Sequence, residues 1–207
     1  MEAALVVIAK EPLPGRAKTR LSPPCSPAGA AALAEAALLD TLEVVARTPA
    51  RRRVLVFDGD AARWAPDGID VIPQRGDGLG ERLAAAFEDV GETALLIGMD
   101  TPQLTPQVLG EGMRALSEPA VDAVLGRAVD GGYWSIGLGA AAAPVFTGIP
   151  MSCSTTWTRQ HSRLRQLGLR VRDQPVMRDV DTIDDARAVA RDAPDSRFAA
   201  TLAAIEA

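Results

Sequence analysis

Short apolar runs recur along this chain, with helix-like patterning between them. The runs are Ala3–Ala9, Val54–Phe57, Ile69–Ile72, Ala94–Ile97 and Val121–Leu125. Runs of this length, bounded by turn residues, are typical of short buried strands. Strands that alternate with helices form mostly parallel sheets through right-handed crossovers. The sequence therefore predicts an α/β protein, a single Rossmann-like domain over residues 1–207 with three layers, α/β/α.

Helix start signals support this alternation. Ser26-Pro27 is expected to cap and begin a helix that runs to about Ala46, and Thr105-Pro106 to begin another. Thr182–Asp185 has the spacing of a capping box before a last helix. One face of a further helix carries Leu83, Ala84, Phe87 and Val90. Between residues 126 and 154 the alternation weakens, and Tyr133–Leu138 is predicted to be an added, antiparallel strand.

Composition limits the function classes. With 207 residues, 47% of them hydrophobic, the chain can bury one sizeable core. The net charge of -5 argues against a general nucleic-acid binder. The chain starts without a basic leader and has no apolar stretch of about 20 residues, which predicts a cytoplasmic protein with no membrane association. Cys25 and Cys153 lack metal-site or disulfide spacing. A homodimer is compatible with these features.

The run Leu95–Gly98 stops at Asp100, which Thr101-Pro102 follows. Asp100 is therefore expected at the carboxyl edge of the parallel sheet, where open α/β folds bind ligands. A carboxylate in that place commonly holds a hard cation that carries phosphate. The alternative is that the Asp100 side chain only stabilises the turn.

The loop after the first strand concentrates positive charge on an otherwise acidic chain. Its basic residues are Lys10, Arg16, Lys18 and Arg20. Gly15 permits a tight turn whose backbone N–H groups face an anion, and the cations supply charge-assisted hydrogen bonds. The loop has neither the Walker spacing nor the dinucleotide glycine pattern. We expect it to bind a polyphosphate; the alternative is a solvated basic loop.

Two glycine-rich segments follow other strands. The first contains Gln74, Gly76, Gly78, Leu79, Gly80, Glu81 and Arg82. Its glycines let the backbone approach a flat ligand, and Gln74 offers a donor and an acceptor to a base edge, although a plain turn fits as well. The second is Asp130-Gly131-Gly132-Tyr133, which suits either a carboxylate beside a metal or substrate, with Tyr133 as a wall, or an ordinary hairpin turn.

Near the end of the chain the signals are weaker. Ser154, with Thr155 beside it, precedes a helix that runs to about Leu167, and is expected to cap it or to border an anion. His161, the sole histidine, is predicted to be an exposed surface residue among arginines rather than a general base. Asp181 is a candidate metal ligand, but Asp179 and Asp181 could equally cap the last helix.

Five motifs in order resemble one known family. They are Lys10-x-Pro12-x-Pro14-Gly15-Arg16-x-Lys18-Thr19-Arg20-Leu21, Gly78-Leu79-Gly80-Glu81-Arg82, Gly98-x-Asp100-x-Pro102-x-Leu104, Asp130-Gly131-Gly132-Tyr133-Trp134-x-Ile136-Gly137-Leu138 and Asp179-Val180-Asp181-Thr182. The family is the bacterial DUF2064 group of glycosyltransferase-like, or radical-SAM/selenodomain-associated, transferases. It resembles the nucleotide-diphospho-sugar transferase fold of glycosyltransferase A type and, more remotely, the guanylyltransferases of 2-phospholactate and of molybdenum cofactor.

The resemblance implies roles for the matched residues. Arg16, Lys18 and Arg20 correspond to the phosphate-handling loop, Gly78 to Arg82 to a nucleotide-side loop, and Asp100 to the metal carboxylate of an abbreviated D-x-D motif. Asp130, Gly131, Gly132 and Tyr133 correspond to the acceptor-side signature. The chain departs from the pattern where relatives often have a tryptophan before Ser-Thr, since Cys153 stands there before Ser154 and Thr155.

Together these observations predict a transferase that needs Mg²⁺ or Mn²⁺ and acts on a small-molecule acceptor. Asp100 is expected to hold the metal, with Asp130 or Asp181 as a second ligand. Lys18, with Arg16 and Arg20, is expected to neutralise charge that builds on the phosphates. The resemblance to the glycosyltransferase-like family favours glycosyl transfer from a nucleotide sugar. The alternatives are nucleotidyl transfer from a nucleoside triphosphate and non-catalytic nucleotide binding.

Overall fold

A seven-stranded sheet forms the centre of the computed structural model, which describes residues 3–64, 66–139 and 143–207. The strands are β1 Ala4–Lys10, β2 Arg53–Asp58, β3 Asp70–Pro73, β4 Ala94–Gly98, β5 Ala123–Ala128, β6 Tyr133–Leu138 and β7 Val171–Met177. The helices are α1 Pro27–Arg47, α2 Leu79–Val90, α3 Pro106–Ala115, α4 Ala143–Phe146, α5 Thr156–Gln166, α6 Ile183–Asp192 and α7 Arg197–Glu206. The alternation that the sequence predicts is therefore present.

The strand directions decide which loops meet. The order across the sheet is β3-β2-β1-β4-β6-β5-β7. Strands β1 to β4 pair in parallel, β7 pairs in parallel with β5, and β6 is antiparallel to both β4 and β5. The carboxyl ends of every strand except β6 consequently lie at one edge of the sheet, together with the start of β6.

Both faces of the sheet are covered, as parallel strands require. On one face Leu5 and Val7 of β1 pack with Leu38 of α1 and Met113 of α3. On the other face the strands pack against α2, α4 and α5. This arrangement confirms the predicted three-layer architecture.

The outer side of α1 has its own apolar cluster. Leu33 and Ala37 pack there with Val189 of α6 and Phe198 of α7. The Asp40 carboxylate, 7% exposed, accepts hydrogen bonds from the backbone N–H groups of Arg197 and Phe198 and so holds the start of α7. The C-terminal helices are thereby fixed against α1. The segment before α6 consequently lies at the carboxyl edge of the sheet, where the Val180 N–H donates to the Asp100 carbonyl.

Several boundary predictions are confirmed. Ser26 caps α1, Thr105 caps α3, and Thr182 with Asp185 forms the capping box of α6. Strand β6 spans Tyr133–Leu138 and is antiparallel, as predicted. The alternative in which Asp179 or Asp181 caps the last helix is wrong, because the Thr182 hydroxyl accepts the Asp185 N–H.

Other expectations need correction. The predicted strand Val121–Leu125 lies two to three residues too early, because the Val121 N–H donates to the Glu118 carbonyl in a turn. Strand β7 has no counterpart in the prediction; it is an edge strand with charged residues and Pro175, and it lacks an apolar run. The sequence patterns also do not predict helix α7. Within the described ranges, no helix combines the length and the hydropathy needed to cross a membrane.

Candidate active site

A cavity of about 510 Å³ opens at the carboxyl edge of the sheet. The loops after β1, β3 and β4 meet there with the start of β6 and the segment before α6, as the strand directions require. The predicted site residues that line this cavity are Lys10, Lys18, Arg20, Gln74, Leu79, Arg82, Asp100, Tyr133 and Asp181. The edge therefore brings residues from both halves of the chain into one space.

The basic loop after β1 folds through a turn at Gly15, whose φ of 73° suits glycine. The backbone N–H groups of Arg16 and Ala17 both donate to the Leu13 carbonyl. The prediction that the N–H groups of this turn face an anion is therefore wrong for these two residues, because the turn itself takes up their hydrogen bonds. Arg16 and Gly15 are exposed and are not among the described residues lining the cavity.

Lys18 connects three parts of the site. Its backbone is left-handed, with φ 50°, and its side chain is only 8% exposed. The ammonium group donates to the Val180 carbonyl and lies 2.6 Å from Asp100 Oδ1. The backbone N–H of Val180 in turn donates to the Asp100 carbonyl at 3.0 Å. Lys18 thus joins the basic loop, the end of β4 and the segment that leads to α6.

Asp100 lies at the predicted edge and lines the cavity, but its nearest charged partner is Lys18. Three other carboxylates, those of Asp130, Asp179 and Asp181, each have an oxygen within 4.8 Å of the others. We call these three residues the acid cluster. Asp130 and Asp181 were predicted as metal ligands, whereas Asp179 was missed; its signal in the sequence is the Asp-Val-Asp alternation, which places both carboxylates on one side of an extended segment.

The acid cluster holds more negative charge than the ion pair between Asp181 and Arg20 balances. Partial burial, together with the charges of Asp130 and then Asp181, raises the pKa of Asp179 to about 6. Repulsion between close carboxylates is relieved by a proton or by a cation. Oxygen ligands of this kind suit a hard divalent ion such as Mg²⁺ or Mn²⁺. The donor set therefore fits the predicted metal, but with different ligands: Asp179 joins Asp130 and Asp181, whereas Asp100, expected to be the main ligand, is paired with Lys18 and is not part of the cluster.

Gln74 and Arg82 form a polar wall on the β2 side of the cavity. The Gln74 amide nitrogen donates to the carbonyls of Ala9 and Val56, at 2.6 and 3.2 Å. The Arg82 guanidinium reaches the Gln74 side-chain oxygen at 3.2 Å and lies 2.9 Å from Asp58 Oδ2. Gln74 is thus hydrogen-bonded within the protein instead of presenting a free amide to a base edge.

The predicted glycine loop is shorter than expected. Gly78 is the N-cap of α2, so Leu79, Gly80 and Arg82 lie on its first turn. A Cβ on Gly80 would lie 3.4 Å from the methyl carbon of Met151, an ordinary van der Waals distance, so the packing here does not require glycine. Leu79 is 44% exposed and lines the cavity.

The Asp130–Gly132 hairpin is both a turn and part of the acid cluster. The Gly132 N–H donates to Asp130 Oδ1 at 2.7 Å, so the Asp130 side chain stabilises the hairpin turn, as one of the two interpretations predicts. Gly131 has φ 93°, and a Cβ on it would overlap the Ser154 carbonyl. The Trp157 N–H donates to the Gly131 carbonyl at 2.8 Å. Gly131 therefore lets the hairpin lie directly against the start of α5, which places Asp130.

Tyr133 lines the cavity as predicted. Its hydroxyl lies 3.5 Å from the Gln160 side-chain oxygen and 3.7 Å from the sulfur of Met151. Burial raises the pKa of the Tyr133 hydroxyl, so this group stays neutral and serves as a wall of the cavity.

The segment before α5 departs from its prediction. Ser154 does not cap the helix: Thr155 holds the N-cap position without a side-chain hydrogen bond. The Thr156 hydroxyl accepts from the Cys153 N–H at 3.1 Å and so ties the segment together. Hydrogen bonds from Thr155 and then Thr156 lower the pKa of the exposed Cys153 thiol to about 7. Ser154 and Thr155 are exposed and are not among the described cavity-lining residues.

His161 is less exposed than predicted. Its side chain is 21% exposed, stacks on Trp157 with ring centres 5.0 Å apart, and lies 3.6 Å from Asp173 Oδ1. The Arg127 guanidinium lies over the Trp157 ring, 5.4 Å from its centre. The prediction missed this packing because the acidic partner comes from β7. His161 does not appear among the described residues at the cavity.

The fold and the edge site define the class of nucleotide-diphospho-sugar transferase folds. A protein from Desulfovibrio desulfuricans G20, proposed to be a nucleotide-diphospho-sugar transferase, is 29% identical, with a TM-score of 0.84 over 98% of this chain and 94% of that one. The chain belongs to the DUF2064 family, described as uncharacterized protein conserved in bacteria, whose model matches residues 40–153. Among curated proteins none has a significantly matching sequence.

More distant structures share the fold. Rv0371c from Mycobacterium tuberculosis H37Rv, solved in complex with manganese, is 21% identical, with a TM-score of 0.58 over 92% of this chain and 100% of that one. CMP:2-keto-3-deoxy-manno-octonic acid synthetase, complexed with CTP, is 14% identical, with a TM-score of 0.58 over 93% and 99% of the two chains. At these identities the likeness shows the architecture alone.

Proposed function

We propose that this protein is a divalent-metal-dependent transferase that uses a nucleotide-activated donor and transfers a glycosyl group from a nucleotide sugar. The observation that carries the proposal is the contact between the acid cluster and the basic loop at the carboxyl edge of the sheet, where Asp181 lies 2.7 Å from Arg20. Asp181 and Arg20 line one cavity, which suits a metal and a diphosphate side by side. The likeness to the Desulfovibrio protein supports the sugar donor.

The residues of the chain divide the task between them. Asp130, Asp179 and Asp181 would hold Mg²⁺ or Mn²⁺, which stabilises charge on the leaving nucleoside diphosphate. Lys10 and Arg20 would bind the phosphates, and Lys18 holds Asp100 and Val180 in position. Tyr133 and Leu79 would bound the organic part of the ligands. No protein nucleophile is assigned, since positioning and charge stabilisation can supply the catalysis.

Charge balance favours a diphosphate donor over a triphosphate. Of the cations that line the cavity, Lys18, Arg20 and Arg82 each lie beside a carboxylate. Lys10 is exposed and has no ion pair within the described part of the chain. Lys10 and, once it leaves Asp181, Arg20 are thus the two cations that would bind the phosphates, which suits a diphosphate better than a triphosphate.

Nucleotidyl transfer is the second candidate, because the CTP-bound synthetase has the same fold. The two are separated by thermal unfolding with Mn²⁺ and either nucleotide sugars or nucleoside triphosphates. A donor at about 100 times its dissociation constant should stabilise the protein by about 2.7 kcal/mol, or about 5 to 10 °C. Stabilisation by triphosphates alone would overturn glycosyl transfer.

A metal-site variant tests whether the protein is an enzyme. Asp179→Asn should abolish Mn²⁺-dependent stabilisation and turnover while leaving the protein folded. The matched control is Asp192→Asn, an exposed acidic residue of α6 outside the acid cluster. If nucleotide binds equally well to both variants and neither metal nor turnover is detected with wild type, the protein is a nucleotide-binding protein without this activity.

A further inference from the structure

Arg20 has an acidic partner in the cluster that we propose to bind metal. Its Nη1 lies 2.7 Å from Asp181 Oδ2. The Arg20 side chain is 67% exposed and that of Asp181 is 32% exposed, so neither is locked by packing. The residue that the sequence predicts as a phosphate ligand is therefore bound, in the free protein, to one of the candidate metal ligands.

The two roles of this pair compete. A divalent ion bound to the acid cluster partly neutralises the Asp181 carboxylate. It therefore weakens the attraction between Asp181 and the Arg20 guanidinium. A phosphate that accepts hydrogen bonds from Arg20 removes the same contact from Asp181. Each ligand therefore releases the group that the other one needs.

We propose that Arg20 exchanges partners, from Asp181 in the free protein to a donor phosphate in the complex, and that this exchange couples metal binding to phosphate binding. The inference rests on the proposed function, because it needs both ligands. The coupling is reciprocal, as linkage requires: phosphate raises the affinity for metal by the factor by which metal raises the affinity for phosphate.

The size of the effect follows from the exposure of the pair. Exposed ion pairs contribute about 0.2 to 1 kcal/mol, which corresponds to less than about a fivefold change in affinity. The contribution of this pair is therefore measurable by titration while leaving the fold unaffected.

The first test measures the anion alone. Calorimetric titration of pyrophosphate in the presence of a chelator compares wild type, Asp181→Asn and Asp130→Asn. Both variants remove one negative charge from the acid cluster, but only Asp181 holds Arg20. We expect Asp181→Asn to raise pyrophosphate affinity about two- to fivefold and Asp130→Asn to raise it clearly less. The gain should vanish in the Arg20→Ala/Asp181→Asn double variant.

The second test measures the metal alone. Mn²⁺ binding, followed by the electron paramagnetic resonance signal of the free ion, compares Arg20→Ala with Arg16→Ala. Both changes remove one positive charge from the same loop, and Arg16 is exposed without an ion pair in the described ranges. We expect tighter Mn²⁺ binding in Arg20→Ala, by about two- to fivefold, and a smaller change in Arg16→Ala.

The outcomes separate the two proposals. Equal effects of the paired variants in either titration would overturn the exchange and leave the proposed function in place. A wild-type protein that binds neither Mn²⁺ nor pyrophosphate would overturn the proposed function and the exchange together.

Discussion

The basic loop and the acid cluster, which meet at the cavity through Arg20 and Asp181, carry opposite charge and are built in different ways. The basic side comes from one continuous loop, in which Lys10, Lys18 and Arg20 lie within eleven residues. The acid cluster combines Asp130, from the β5–β6 hairpin, with Asp179 and Asp181, which lie about fifty residues later. A local loop can be identified from its composition, whereas the acid cluster exists only when the sheet brings distant segments together.

The two sides also differ in how their charge is balanced. Lys18 and Arg20 of the basic side lie beside Asp100 and Asp181. Within the acid cluster, burial and mutual repulsion still raise the pKa of Asp179 to about 6. Two of the three cations of the basic side are thus paired in the free protein, while the acid cluster retains a need for a cation.

The largest effect should come from the glycine that positions the hairpin. Gly131→Ala adds a Cβ that overlaps the Ser154 carbonyl at a φ of 93°, so the hairpin must move away from α5. We expect a loss of about 2 to 4 kcal/mol in unfolding free energy, measured with urea, and a loss of Mn²⁺ binding.

Gly148→Ala is the matched control for this change. Gly148 also has a positive φ, 73°, but a Cβ added there would meet no atom of the described residues within 4 Å. The Gly148→Ala variant should lose only about 1 kcal/mol of unfolding free energy and keep its affinity for Mn²⁺. If both variants behave alike, backbone strain explains the loss and the contact with Ser154 does not place the acid cluster.

Lys18→Met should have the next largest effect. It removes the buried ammonium group that Asp100 and the Val180 carbonyl share, and we expect a loss of about 2 kcal/mol in unfolding free energy, measured with urea. Lys10→Met, at the exposed end of β1, should change stability by less than about 0.5 kcal/mol. Similar losses in the two variants would mean that the contacts of Lys18 with Asp100 and Val180 do not hold the basic loop against β4 and the segment before α6.

The fold could be predicted because its information is local. The apolar runs of β1, β2 and β4 and the caps at Ser26 and Thr105 are readable in windows of a few residues. Strand β7 could not be found, because an edge strand needs few apolar residues and its Arg172 and Asp173 resemble a loop. Strand β7 forms because it pairs with β5, and its sequence does not indicate that pairing.

The site likewise combines features that local sequence predicts with contacts that only the fold creates. The basic loop was found from its charge, but the ion pairs from Lys18 to Asp100 and from Arg20 to Asp181 join residues more than eighty positions apart. A single sequence does not specify such pairs. Asp179 is a similar case: the Asp-Val-Asp alternation relates it to Asp181, but its proximity to Asp130, about fifty residues earlier, is visible only in the fold.

Asp179→Asn should make the free protein more stable, in a pH-dependent way. The folded pKa of Asp179, about 6, lies above the ordinary value of 3.8, so the folded state binds its proton more tightly than the unfolded state. Wild-type stability should therefore fall as pH rises from about 4 to 6. Above pH 6 the variant should gain roughly 1 to 2 kcal/mol after allowance for solvent screening.

Thermal unfolding in the presence of a chelator measures this gain. Near pH 4 the two proteins should converge, because Asp179 is then mostly protonated in the folded state. Excess Mn²⁺ should reverse the order above pH 6, since only wild type retains the full acid cluster. A variant that is less stable than wild type without metal at pH 7 would show that the acidic side has no unbalanced charge.

The smallest effect should come from the capping box that follows the acid cluster. Thr182→Ala removes the hydroxyl that accepts the Asp185 N–H, and we expect a loss of about 1 kcal/mol in unfolding free energy, measured with urea, with Mn²⁺ affinity unchanged. Burial acts to raise the pKa of Asp185, but hydrogen bonds from Thr182 and Arg178 outweigh it and hold the pKa below its usual value. The stabilisation from Asp185 is therefore present above the unfolded pKa of 3.8 and is lost as the pH falls below it. Asp184→Ala, whose side chain is 88% exposed, is the control. A fall in Mn²⁺ affinity in Thr182→Ala, with none in Asp184→Ala, would mean that the cap of α6 positions Asp181 and that the acid cluster depends on local structure after all.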